Sequence, residues 1–409
     1  MYDVEKIRLQ FPMLNGKKMQ GHKLVYLDNA STTFKPQCVI DAMNAYYENE
    51  TANAHRGDYD LLNNMDNKIL EARKAVAKFV NSNPNEVVFT AGDTMAMNLL
   101  GFAYGRKFVN KGDEILLSEA EHTSNLLPWY KVAEDKGAVI KFIPLDEDGC
   151  LTVDNLKKVI SNKTKVVSVA QVSNVLGNVV DVKAFAKIAH EHGAILVVDG
   201  AQSIPHMKMD FKDADIDFLT FSAHKMCGPT GIGCLIGKYD LLQSMDTYYV
   251  GGGMNVTFTK DLELIPFDAP AKFEAGTQNL SGIMGLKAAV EFLMELGMDD
   301  IHKHDRELCD YALEKLEKCD DLIIYNKKAR NGVITFNRKG VFAQDEATLL
   351  NSKGIAVRSG QHCAKILNDF LKTPATCRMS VYLYTNKEDI DAFVDAVING
   401  GDILDAYFN

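Results

Sequence analysis

The sequence predicts an α/β fold, with a large domain built on a mostly parallel sheet and a smaller α+β domain at the C-terminal end. Three observations carry this. Short β-rich runs alternate with amphipathic helical patterns from about residue 24 to residue 236, the signature of a sheet covered by helices. The texture changes after Gly251, Gly252 and Gly253 to an irregular stretch followed by long helical patterns. Beyond those, short strands and helices interleave, without a repeat or a low-complexity linker, so the two domains are expected to share a packed interface.

In chain order, the β-rich runs of the large domain are Leu24 to Leu27, Glu86 to Phe89, Glu114 to Leu117, Val139 to Ile143, Val166 to Ala170, Ile195 to Asp199, Phe218 to Ser222 and Gly233 to Ile236. They are short and rich in Val, Ile, Leu and Phe, as strands buried on both faces are. Met65 to Phe79, Met95 to Phe108 and Val182 to His192 place apolar residues at helical spacing between them. Gly282 to Leu296 and Ile301 to Cys319 read as long helices. Strands are expected at Leu322 to Tyr325, Gly332 to Asn337, Ile355 to Arg358 and Ser380 to Tyr384, with helices around Glu346 and from Lys387 to Val397. The division is drawn as 1–22 (an N-terminal segment packing with the small domain), 23–281 (large domain) and 282–409 (small domain).

Composition narrows the function classes. The 409 residues are 46% hydrophobic and carry a formal charge of −10, which provides no basic stripe for nucleic acid. No run approaches the ~20 apolar residues of a membrane span, and Met1 to Lys6 lacks an apolar signal core. A cytoplasmic address is expected, with neither nucleic acid nor membrane as partner. Eight cysteines are scattered without a Cys-x-x-Cys pair, which suggests neither a disulfide framework nor a metal site.

Several residues point to chemistry. Lys225 follows an apolar strand and precedes a glycine-rich turn, Gly228 to Gly233. A partly desolvated amine there loses its proton readily and condenses with an aldehyde. Asp199 closes the buried run Ala194 to Val198, at the strand end where an open parallel sheet binds ligands, and a carboxylate there can keep a pyridinium nitrogen protonated. Together the two residues point to pyridoxal phosphate. Thr90 to Thr94 lead a strand into a helix whose N-terminus suits a phosphate, and Ser222 and His224 supply further donors. His122, opening another strand-to-helix connection, can lie on a flat ring and exchange protons. Cys363 sits between Arg358 and His362 on one side and Arg378 on the other in a loop of small residues, a setting that should lower a thiol pKa and suit a nucleophile. Arg378 is able to pair with an amino acid carboxylate in a bidentate manner.

These residues fall into an ordered set of motifs: Tyr26-Leu-Asp-Asn-Ala, Asn53-Ala-His-Arg-Gly, Glu121-His, Ser173-Asn-Val-Leu-Gly, Val198-Asp-Gly-Ala-Gln, Ser222-Ala-His-Lys, Phe273-Glu-Ala-Gly-Thr and Arg358-Ser-Gly-Gln-His-Cys. The set runs nearly end to end and resembles the group II, Suf-type cysteine desulfurases of the class V aminotransferase family. The resemblance implies a fold type I pyridoxal phosphate transferase with a seven-stranded, mostly parallel sheet, acting as a homodimer with sites at the subunit boundary. It implies that Lys225 forms an imine with the cofactor, Asp199 pairs with the pyridine nitrogen, Gln202 bonds the ring hydroxyl and His122 stacks on the ring. Thr94, Ser222 and His224 would hold the phosphate, with Thr277 reaching over from the second subunit. Arg378 and Asn174 would clamp the substrate carboxylate, Asn174 also lying against the cofactor, while Ala30, His55 and Arg358 line the pocket. The implied reaction turns L-cysteine into L-alanine, leaving a persulfide on Cys363 for a SufE- or SufU-type acceptor and for iron-sulfur cluster assembly. The Arg-Ser-Gly-x-His-Cys setting resembles group II and not the serine-rich loop of group I.

The chain departs from the family where Thr, Glu, Pro and His give way to Asp93, Met95, Gln278 and Gln361. A carboxylate at position 93 repels a phosphate dianion unless it turns back to cap its helix, so looser cofactor retention is expected, and Asp93→Thr should tighten it. Gln361 removes an imidazole from the cysteine loop, which should raise the thiol pKa or alter acceptor docking. Three other readings stay open: a selenocysteine lyase, a transaminase on the same scaffold, and a non-catalytic sulfur-assembly scaffold.

Overall fold

The computed structural model describes residues 2–54, 57–327 and 331–401. Its large sheet has seven strands in the order Val87–Thr90, Gly233–Gly237, Phe218–Ser222, Ile195–Asp199, Thr164–Ala170, Glu114–Ser118 and Val139–Ile143. All neighbours are parallel except Gly233–Gly237, which runs antiparallel to both of its own. Nearly every residue of the central strands is buried, because helices cover both faces and each face has its own apolar core. Gly233 has a specific reason to be glycine. A Cβ there would stand 2.4 Å from the Phe221 carbonyl oxygen and 2.6 Å from the Gly92 Cα, so its absence lets the Gly92–Asp93 backbone settle onto the strand ends.

Leu24 to Leu27 does not join this sheet. Val25–Tyr26 pairs in parallel with Ile355–Ala356, and Val25 and Leu27 are buried in the core of the small domain. The small sheet runs Leu322–Ile324, Val333–Arg338, Thr376–Ser380 and Arg358–Gly360, antiparallel throughout. Met298–Leu316, Ala343–Ser352 and Lys387–Asn399 bring Leu308, Leu350 and Phe393 to its core. The expected domain boundary after residue 281 falls inside the helix Leu280–Leu296, which packs on Gln37–Ala45 and Asp60–Val80. Its apolar residues join the large core. The N-terminal segment reaches the small domain through Arg8, which donates to Asp389 Oδ2 and to the Tyr384 carbonyl, both at 2.6 Å. Phe11 packs between Phe292 and Tyr384.

A hairpin of Asn255–Phe258 and Leu264–Pro266 carries exposed Val256, Phe258, Leu262 and Ile265. No helix among the described residues is long and apolar enough to cross a membrane.

Candidate active site

The C-terminal ends of the central strands open into a cavity, the position at which open α/β sheets bind ligands. Register brings its parts together. Asp199 lies beside Ala170 on one side and Thr220 on the other, and Phe218–Ser222 leads directly into the turn Ala223–Lys225. Asp199 is buried, with Oδ1 accepting from the Ala201 N–H at 2.9 Å. Burial lowers the pKa of the Lys225 amine; Arg378 and Arg358 add to this, while Asp199 and Asp93 oppose it. The neutral, nucleophilic form is thereby favoured.

The wall near the helix that begins at Asp93 is made of hydroxyls. Ser222 Oγ accepts from the Asp93 N–H at 2.8 Å, and Thr94 Oγ1 and Ser124 Oγ share a hydrogen bond of 2.8 Å. His224, also lining the cavity, is held neutral: burial, with help from Lys225 and Lys35, brings its pKa to about 4. The carbonyl of His224 is gripped by the Thr33 N–H and by Lys35 Nζ, at 3.0 and 3.1 Å, which fixes the peptide just before Lys225.

His122 caps the helix Thr123–Lys136, its Nδ1 accepting from the Ser124 N–H at 3.1 Å. Burial and Lys225 lower its pKa. A neutral imidazole accepting at Nδ1 carries its hydrogen on Nε2, so it faces a ligand as a donor. Gln202 donates to the Ala30 carbonyl at 2.8 Å, which leaves its side-chain oxygen to the cavity. Glu121 braces this turn by accepting from Asn125 Nδ2 and the Ala170 N–H. Burial, with Asp199 adding, pushes its pKa up to about 8.

The small domain contributes two guanidinium groups. Arg358 and Arg378 are register partners on adjacent strands. Both donate to Ser31 Oγ, at 2.9 and 3.0 Å, and Arg378 also donates to Asp28 Oδ1 and to the Asn174 carbonyl. Burial brings the Arg378 pKa down to about 10, so the group remains a cation. Asn174 Nδ2 donates in turn to the His362 carbonyl at 2.8 Å. Ser31 was invisible to sequence reasoning, because it meets the two arginines only through a fold that spans more than 300 positions; the Tyr26-Leu-Asp-Asn-Ala motif just before it was the available signal.

Cys363 is exposed, on a loop in which His362 and Cys363 both adopt left-handed φ values of 51° and 55°, a conformation that costs non-glycine residues energy. The sequence had assigned His362 a part in activating the thiol. Its ring is instead buried against Thr376, with Nε2 3.0 Å from both the carbonyl and the hydroxyl, and burial followed by Arg378 drives its pKa to about 3. It is neutral and brings no positive charge to Cys363. Thr277 is exposed, bonded to Asn53, and lies outside this cavity of its own chain. His55 lies outside the described residues. Asp93 does not cap its helix, since Gly92 holds the cap position and the carboxyl points inward among the residues lining the cavity.

Asp93 Oδ1 and Arg378 Nε, both buried, have no hydrogen-bond partner among the described residues. Each such group costs about 1–3 kcal/mol if left unsatisfied, so the cavity is built for a polar ligand. An amine ready to attack an aldehyde, a buried carboxylate, an amide oxygen and a wall of hydroxyls match the functional groups of pyridoxal phosphate, and the two arginines match a carboxylate.

The Aminotransferase class-V family profile matches residues 25–393. The chain belongs to the class V aminotransferase family. Within it, the chain is 44% identical over 391 residues to a probable cysteine desulfurase of Halalkalibacterium halodurans, covering 95% of this chain and 96% of that protein. It is 43% identical over 399 residues to a probable cysteine desulfurase of Staphylococcus aureus, covering 97% and 96%. Among solved structures, the cysteine desulfurase CsdA of Escherichia coli, described in its S-sulfonic acid form, superposes with a TM-score of 0.91 at 35% identity over 98% of both chains. The apo cysteine desulfurase of Thermococcus onnurineus superposes with a TM-score of 0.92 at 34% identity, over 98% of this chain and 99% of that one.

Proposed function

We propose that this protein is a pyridoxal phosphate-dependent cysteine desulfurase that converts L-cysteine to L-alanine and passes the sulfur to Cys363. One observation carries the reading beyond family membership. A single cavity combines the Lys225 amine and the Asp199 carboxylate with the paired Arg358 and Arg378, and the loop carrying an exposed thiol is hydrogen-bonded to the turn that carries His122.

Bound there, pyridoxal phosphate supplies an aldehyde for the substrate amine and a protonated ring that takes up electrons from Cα. Lys225 anchors it and, as a neutral amine, removes the Cα proton. Asp199 would face the ring nitrogen, Gln202 would meet the ring hydroxyl, and Thr94, Ser222 and His224 would line the phosphate end. Arg378 and Arg358, steadied by Ser31 and Asn174, bind the substrate carboxylate. His122 would lie against the ring and present Nε2–H to it or to the substrate as a hydrogen-bond donor. The Cys363 thiolate attacks the substrate sulfur: an S–S bond forms as the Cβ–S bond breaks, its electron pair passes to Cβ, and protonation of Cβ together with return of the Cα proton by Lys225 yields alanine.

We further place the protein in the cytoplasm as a homodimer, with Thr277 completing the partner's site, feeding an acceptor of the SufE or SufU type for iron-sulfur cluster assembly. The exposed apolar hairpin, which precedes Thr277 closely in sequence, supports an interface between two copies. The test is alanine formation from L-cysteine by the wild type, Lys225→Ala and Cys363→Ala. Loss in both variants supports the reading. Full alanine formation by Cys363→Ala favours a selenocysteine lyase, whereas no alanine from any of the three proteins, with amino transfer to a keto acid by the wild type and Cys363→Ala, favours a transaminase.

A further inference from the structure

Asp93 is the acid that this site does not need for the chemistry just described, yet it lies within the cavity. It is 6% exposed, its Oδ1 has no hydrogen-bond partner among the described residues, and it lines the same space as Asp199 and Lys225. Its backbone cannot turn the side chain away easily. The Asp93 N–H is tied to Ser222 Oγ at 2.8 Å, and Gly233 lets the Gly92–Asp93 peptide rest on the strand ends. The charged groups facing it are Asp199, from the end of Ile195–Asp199, and Lys225, from the following turn. Phe218–Ser222 contributes only the hydroxyls of Thr220 and Ser222, and His122, at the start of the neighbouring helix, is disposed to be neutral.

We propose that Asp93 is a positioning residue that enters the cofactor cavity as a neutral acid, so that pyridoxal phosphate binds together with one proton and is released more readily once Asp93 ionises. This rests on the cavity being a pyridoxal phosphate site. A second carboxylate beside Asp199 and next to the phosphate wall would repel a phosphate dianion at short range in a poorly solvated space, whereas a carboxylic acid can donate a hydrogen bond into it. The electrostatics of the cavity agree. Burial, followed by Asp199, raises the Asp93 pKa to about 7, against the weaker pull of Thr220 and Lys225. The proton is therefore held at the margin of the physiological range, and a bound dianion holds it more firmly by linkage.

The experiment is calorimetric titration of the full-length apoprotein with pyridoxal phosphate at several pH values, in buffers of different ionisation enthalpy, for the wild type, Asp93→Asn and Asp93→Thr. Taking the ratio of wild type to variant cancels the titration of the cofactor, which all three proteins share. The expected result is close to one extra proton taken up by the wild type near pH 8. The ratio of dissociation constants, wild type over either variant, should be near one at pH 6 and reach about tenfold for each pH unit above the Asp93 pKa. Equal proton uptake and a ratio independent of pH overturn the proposal. Absence of cofactor binding by all three proteins at every pH overturns instead the cofactor site on which it rests.

Discussion

Thr123 holds the carbonyl oxygen of Cys363 with two hydrogen bonds, from its N–H at 2.8 Å and from its hydroxyl at 2.7 Å. The exposed thiol is thus tethered to the turn that carries His122, and Asn174 secures the preceding His362 carbonyl. Two consecutive left-handed residues persist because these donors over-determine the loop. Thr123→Val keeps the shape and the backbone bond but removes one donor, at a cost of about 0.5–1.5 kcal/mol. Amide hydrogen exchange over residues 361–365 should accelerate severalfold, and sulfur transfer should slow, with cofactor absorbance unchanged. Unaltered exchange would show that the hydroxyl does not hold the loop.

Ser31 accepts from both Arg358 and Arg378 and donates to Asp28 Oδ1 at 2.7 Å. Hydrogen bonds to charged groups contribute about 1.5–3 kcal/mol each. Ser31→Ala should therefore raise KM for L-cysteine by about tenfold or more, while cofactor affinity stays within twofold of the wild type as an order-of-magnitude bound. Steady-state kinetics beside a cofactor titration separates the two. A fall in cofactor affinity with KM unchanged would contradict the assignment of the arginine pair to the substrate.

Asp93 and Glu121 also make the stability of the apoprotein depend on pH. Their folded pKa values of about 7 and about 8 lie above the ordinary carboxyl values. The stabilisation linked to them is complete below the unfolded pKa and is lost as pH rises through the folded one. Melting temperatures of the apoprotein should fall between about pH 4 and 8, as the pH moves from the ordinary carboxyl values to the raised ones, and Asp93→Asn should flatten that fall by a few degrees. Parallel curves for the two proteins would mean that Asp93 is ionised throughout the range.

The hairpin offers a test of assembly. Leu262 and Phe258 are 93% and 73% exposed, apolar surface that a partner chain would cover. Leu262→Asp with Phe258→Asp should weaken a dimer by at least about tenfold in sedimentation, given the cost of burying an unpaired charge. A dimer of unchanged strength would move the interface elsewhere.

Much of this site was legible in the sequence because strand ends in a parallel sheet are where ligands bind, and Lys225 and Asp199 stand at two of them. The mostly parallel sheet follows from runs such as Val166 to Ala170, whose apolar composition suits burial on both faces, while its count of seven strands came from the family resemblance. What stayed hidden depends on partners distant in sequence. Val25–Tyr26 reads like any other short apolar strand, and only its pairing with Ile355–Ala356 assigns it to the small domain. His362 looks like a cation beside Cys363 until the fold buries its ring against Thr376. Asp93 looks like a helix cap until Gly92 takes that place and the carboxyl turns inward. No local pattern encodes the direction of those side chains.

The most direct test of the central claim is tandem mass spectrometry of the protein after exposure to L-cysteine, under conditions that preserve persulfides. The geometry predicts one added sulfur on the peptide containing Cys363, absent when Lys225 is replaced by alanine. A Cys363 peptide of unchanged mass, with alanine still formed, would contradict it.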